Sequence, residues 1–145
     1  IQEHPLGIGL NHFKREIGAY VPPQFAGKDA HNFYILFTTE AGLIAPLAIL
    51  AMFGGMFALG RRVVALGDDE EARMLGAGYL TGVVALMLGN IYGSRFLDGD
   101  VMGNFWILSG LLARYVIIRR EEAEALRRAD SADQREYTQV GNSTR

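Results

Sequence analysis

"KDAHNFYILFTTEAGLIAPL", residues 28–47, is where the chain passes from water into oil. His31 and Asn32 stand just before an uncharged apolar run, and one acid, Glu40, stands inside it. Beyond this stretch the polarity of the chain is segregated. Residues 41–60 carry no charge, residues 74–94 carry none, and residues 101–118 carry only Arg114. Each run is about as long as a helix needs to cross a hydrocarbon core of roughly 30 Å. The reading is an all-α, polytopic membrane chain with spans at about 33–59, 74–92 and 101–118. A loop segment over 1–34 with a short amphipathic helix precedes them, and a charged, partly disordered tail over 119–145 follows.

Composition closes off several functions. Cysteine is absent from the 145 residues, which removes disulfides and thiolate metal sites. A formal charge of −2, without a groove-sized basic patch, excludes nucleic acid as a partner. No second histidine sits four residues from His31, so no metal is expected, and no cofactor. The opening "IQEHPLGIG" lacks both an initiator methionine and a signal-peptide pattern, and reads as the C-terminal piece of a larger protein.

Local patterns sharpen the layout. In "NHFKREIGAY" the residues Leu10, Phe13, Ile17 and Tyr20 share one side of a short helix, with Asn11 as its N-cap. Pro46 should bend the first span. On the second span Gly78, Gly82, Ala85, Gly89 and Gly93 form one small-residue face, where helix backbones can approach closely in lipid. Nine basic residues fall on the side of the 60–73 turn and the tail, and four on the side of His31. By the positive-inside rule the tail is cytoplasmic and His31 faces outward, toward the periplasm of a bacterium.

Chemistry concentrates at that lip. The neutral imidazole of His31 can take a proton from a hydroxyl as the hydroxyl attacks. His4 and His12 adjoin no other polar group at an interface. A carboxylate within a span is costly and pairs or faces a polar cavity. Glu40 is about 13 Å along a helix from His31, too far to bond it; it pairs with Arg95 or with a cation of another helix, caps a polar pocket, or snorkels to the interface. The cations on this side are Lys14, Arg15, Lys28 and Arg95; the planar fork of arginine ranks Arg15 and Arg95 first for phosphate. Arg114 is expected to snorkel toward Arg119 and Arg120.

"PLGIGLNHF" followed by "AHNFYILFTTEAGLIAPL" resembles the periplasmic-loop region of the O-antigen ligase and polymerase family of bacterial membrane proteins. The matching positions are Pro5, Gly7, Gly9, Phe13, His31, Asn32, Glu40, Gly42 and Leu43; Ala45 departs from the residue types frequent in ligases. The resemblance covers residues 4–47 and is looser over 48–118. It implies an inner-membrane glycosyltransferase of the GT-C type that works without metal. Such an enzyme moves a glycan from an undecaprenyl-diphosphate carrier to a lipid or glycan hydroxyl. It implies that His31 activates the acceptor and that Asn32 contacts or orients substrate. Lys14, Arg15 and Arg95 are positional candidates for the diphosphate, while Glu40 and Gly42 are structural. The alternatives are a transporter or channel fragment, or a non-catalytic assembly partner. A transporter places ionisable groups near mid-span; here they gather at the lip.

Overall fold

The computed structural model describes residues 4–28, 30–67 and 70–143. Asp68, Asp69 and Arg145, which entered the reading of the turn and of orientation, lie outside them. The described chain forms α1 (Phe13–Glu16), α2 (Phe33–Ala41), α3 (Ile44–Leu66), α4 (Glu70–Gly89) and α5 (Gly99–Ser143), with single 3-10 turns at Ile17–Ala19, Pro23–Phe25 and Arg95–Leu97. No described residue is in a strand. Ile44–Leu66, Glu70–Gly89 and Gly99–Ala132 are each long and apolar enough to cross a membrane. The protein is an all-helical membrane chain with three candidate spans.

The first span is not one helix from residue 33. The Phe96 ring lies 4.9 Å from that of Phe33 and 5.5 Å from that of Phe53. Twenty residues of unbroken helix would hold Phe33 and Phe53 about 30 Å apart. Helix α2 instead folds back beside the first half of α3. The chain reverses at Gly42, whose φ of 69° and ψ of −157° suit only glycine. Pro46 therefore does not bend a helix. It sits in the first turn of α3, where no intrahelical partner awaits its missing N–H. At the far end α3 runs past Arg61 and Arg62 to Leu66 rather than stopping at residue 59.

Helices α3 and α4 form an antiparallel hairpin with α5 against it. Val63, Tyr79, Val83, Leu112 and Val116 form the shared core with Phe33, Ile49, Phe53 and Met56. Close approach near the α3–α4 turn rests on two glycines. A Cβ on Gly60 would meet Leu80 at 2.7 Å, and one on Gly76 would meet the backbone nitrogen of Val64 at 2.9 Å. The small-residue face predicted for α4 is not this contact. Gly78 and Ala85 are exposed, Gly78 has nothing within 4 Å of an added Cβ, and Gly82 touches only the Phe105 ring at 3.6 Å. The buried side of α4 carries Gly76, Tyr79, Val83 and Leu86. Small residues permit approach but supply little packing area, and the larger side chains choose the face.

This yields an ordered prediction. Val83 is 0% exposed, so Val83→Leu overpacks and costs about 1–3 kcal/mol. Gly76→Leu costs more, whereas Gly78→Leu is tolerated. Unfolding midpoints in detergent rank the three, and a destabilised Gly78→Leu with a tolerant Val83→Leu would reverse the assignment of the face.

Helix α5 does not end at the membrane. It continues through the charged segment to Ser143, where a partly disordered tail was expected. Ala, Glu and Arg are strong helix formers, and Arg119–Glu122 (2.6 Å) and Glu124–Arg128 (3.5 Å) pair one turn apart along the helix.

Candidate functional site

Breaking a helix leaves peptide groups at its end without intrahelical partners, and other protein backbone can supply them. Residues 5–9 do this. Ile8 N–H donates to the Thr39 carbonyl and Gly9 N–H to the Glu40 carbonyl, both at 3.0 Å, capping the last turn of α2. Leu43 N–H donates back to the Pro5 carbonyl at 3.2 Å. The two segments touch backbone to backbone. A Cβ on Gly7, at φ +84°, would overlap the Glu40 carbonyl, and a Cβ on Gly42 would overlap the Pro5 carbonyl. The glycines of "PLGIG" and the glycine of "EAGL" are thus the two halves of one contact.

Glu40 completes it. The residue is 8% exposed, and its Oε1 accepts a 3.1 Å hydrogen bond from Phe13 N–H at the start of α1. Arg95, one of the partners open to it from the sequence, lies instead 3.9 Å from Asp98. Glutamine keeps an oxygen for Phe13 N–H, while leucine leaves that buried donor unpaired at a cost of about 1–3 kcal/mol. Folded yield should therefore order as wild type, then Glu40→Gln, then Glu40→Leu. Equal losses from both substitutions would show that the negative charge, not the tether, matters.

The short helix of this loop is also not the expected one. Asn11 is in the left-handed region at φ 60° and does not cap it; His12 holds the N-cap position without a capping bond, its Nδ1 bonded instead to the Leu10 carbonyl at 2.9 Å. Of the apolar stripe, Phe13 is buried, Ile17 is half-buried, and Leu10 and Tyr20 are exposed. A single helical turn continued as 3-10 cannot align four residues on one side.

His31 lies at the other end of α2. It too is left-handed, at φ 45°, and its side chain is exposed. Asn32 follows as the N-cap of α2, its Oδ1 accepting from Ile35 N–H at 3.0 Å. Phe33 N–H then bonds the carbonyls of Asn90 (3.0 Å) and Gly93 (3.1 Å), which ties the start of α2 to the α4–α5 turn. Asn90, 0% exposed, holds that turn: its Nδ2 donates to the Leu86 carbonyl at 2.8 Å and its Oδ1 accepts from Phe96 N–H at 3.2 Å. Sequence reasoning passed over Asn90. A lone amide closing an oily run before "IYG" was the available signal.

Because Asn32 is a cap, shape decides its replacements. Asn32→Asp and Asn32→Ser should hold the helix start, and Asn32→Ala should lose about 1 kcal/mol. The longer Asn32→Gln should behave like alanine. Thermal midpoints test this; a glutamine variant as stable as aspartate would mean that the amide acts on substrate rather than on Ile35.

His31 opens on a cleft of about 450 Å³ lined by Phe13, Ile17, Val21, Phe25, Lys28 and Ala30. Lys28 is the cation of this cleft, with Nζ 5.3 Å above the Phe25 ring. The sequence ranking placed it behind the arginines. Lys14 lines a neighbouring cleft of about 340 Å³ with Glu40 and Phe37, on the other side of Phe13. Arg15 is paired with Glu16 at 3.3 Å. Arg95 stays by the α4–α5 turn, where its side chain would lie 3.8 Å from a Cβ on Gly89. No described group of three or more His, Asp or Glu side chains is arranged to hold a metal ion.

Fold and site together define a helical membrane protein whose candidate chemistry, an exposed histidine beside a lysine, lies in a loop-built cleft at one end of the bundle. No protein-family model, no curated protein and no solved structure matches the chain.

Proposed function

We propose that the chain is part of a membrane glycosyltransferase of the O-antigen ligase or polysaccharide polymerase type, working at the periplasmic face of a bacterial inner membrane. The observation that carries this reading is the convergence of the matching residues. Pro5, Gly7, Glu40, Gly42 and Leu43 meet in one backbone contact, and Phe13, tied to Glu40, is also a wall of the cleft on which His31 opens. Residues scattered over some forty positions thus serve one small region.

The chemistry follows from this arrangement. The acceptor O–H gives its proton to the neutral imidazole of His31 as its oxygen attacks the anomeric carbon of the donor. The bond from that carbon to the carrier diphosphate breaks, and the diphosphate leaves with the electron pair. A diphosphate is already a good leaving group, so the protein's contribution is alignment, a base and a cation for the departing charge. Lys28 is the cation in the His31 cleft. Arg95 belongs to the α4–α5 turn that bonds the start of α2, while Lys14 and Arg15 do not line that cleft. The apolar walls suit a donor delivered on a lipid. The test is transfer from a purified lipid-diphosphate glycan by the full-length protein in vesicles, scored against protein amount. Transfer that needs His31 supports the reading, and its absence from a folded, inserted protein removes it.

A further inference from the structure

Four arginines on three helices fall within one band of depth at the tail end of the bundle. Tyr79 and Ser109 share a 2.8 Å hydrogen bond, and Gly60 packs against Tyr79 and Leu80, so this level is common to α3, α4 and α5. Counting toward the tail at 1.5 Å per residue, Arg61 and Arg62 lie about 2–3 Å beyond it, Arg114 about 8 Å and Arg73 about 9 Å. All four are exposed, and none has an ion-pair partner among the described residues. Their neighbours on the side of the core are oily: Leu111 precedes Arg114 by one turn, and Met74 and Leu75 follow Arg73, all three exposed. The acids lie farther out, with Glu70 and Glu71 in the first turn of α4 and Asp68 and Asp69 before them in sequence.

The order along the bundle is therefore apolar surface, then unpaired arginines, then acids. In a bilayer the layer between hydrocarbon and water holds the lipid phosphates. A cation at the edge of a span is costly unless it reaches a counter-ion, and the guanidinium fork fits a phosphate. A zwitterionic headgroup brings its own ammonium and leaves the band positive; an anionic one neutralises it. We propose that Arg61, Arg62, Arg73 and Arg114 form a belt that binds the phosphates of anionic phospholipids. The proposal rests on the membrane fold alone and not on glycan transfer.

Native mass spectrometry of the purified full-length protein, with phosphatidylglycerol or phosphatidylcholine added to the micelles, tests it. The belt predicts preferential retention of phosphatidylglycerol. Each of Arg62→Gln and Arg114→Gln should lower that retention about fivefold, and added salt should weaken it further. Arg127→Gln, which removes the same charge from the tail, should change it little. Glycerol 3-phosphate in solution should not compete; competition would point to a site for a soluble anion and overturn the lipid assignment. Equal retention of the two lipids by the wild-type protein would also overturn it, and that comparison decides the question even where a variant fails to fold. A loss from Arg127→Gln equal to that from the belt variants would reduce the effect to net charge and overturn the site.

Discussion

Gly42→Ala will destabilise the folded protein by about 3 kcal/mol or more. Two terms add. The backbone at Gly42 is in a region that costs other residues about 1–3 kcal/mol. The new methyl also overlaps the Pro5 carbonyl, which is backbone and cannot rotate away. Relief requires residues 5–9 to lift off, and that strips the caps from the Thr39 and Glu40 carbonyls. Gly7→Ala should fail for the reciprocal reason. Gly54→Ala and Gly103→Ala are the controls: both positions are helical, exposed and open around the added Cβ, so alanine should be neutral or stabilise by about 0.5–1 kcal/mol. Unfolding midpoints in one detergent compare all four. Gly42→Ala as stable as Gly54→Ala would contradict the hairpin between α2 and α3.

On the proposed reading, His31→Ala lowers glycan transfer about 10²–10⁴-fold, the usual contribution of a general base, and leaves insertion and folding intact. Stability and activity can be separated here because of the backbone. At φ 45° a histidine is tolerated rather than favoured, so His31→Gly should fold at least as well as the wild type and still be inactive. His4→Ala and His12→Ala should keep most activity, since neither lines the cleft around His31.

The three spans were legible because an apolar run of membrane length has few other uses. The reversal at Gly42 was not. Residues 33–59 are oily almost throughout, and a continuous oily run does not say whether the chain goes forward or folds back. Only the left-handed glycine and its partner Gly7 decide that, through a contact 35 residues apart in sequence. The face of α4 was misread for a related reason. Five small residues in register suggested close packing, but Tyr79, Val83 and Leu86 bury a side of α4 roughly 100° round from them. In the candidate site, the position of His31 just before a helix was readable from "AHNF", whereas Asn32, read as a substrate contact, is the cap of that helix, a role its residue type also favours. The choice among cations was not readable. Lys14 and Arg15 are part of α1 and do not line the His31 cleft, whereas Lys28, in the loop after Phe25, does. Arg15 and Arg95, favoured for their forked geometry, each have an acid beside them.

The most direct test of the account is a single-turnover reaction of the full-length protein in vesicles with an undecaprenyl-diphosphate-linked glycan and its hydroxyl acceptor, read by mass spectrometry. The account predicts that free undecaprenyl diphosphate and glycosylated acceptor appear together in equal amounts with the wild-type protein, and that both are lost with His31→Gly. Formation of the two products at the wild-type rate by His31→Gly would contradict it.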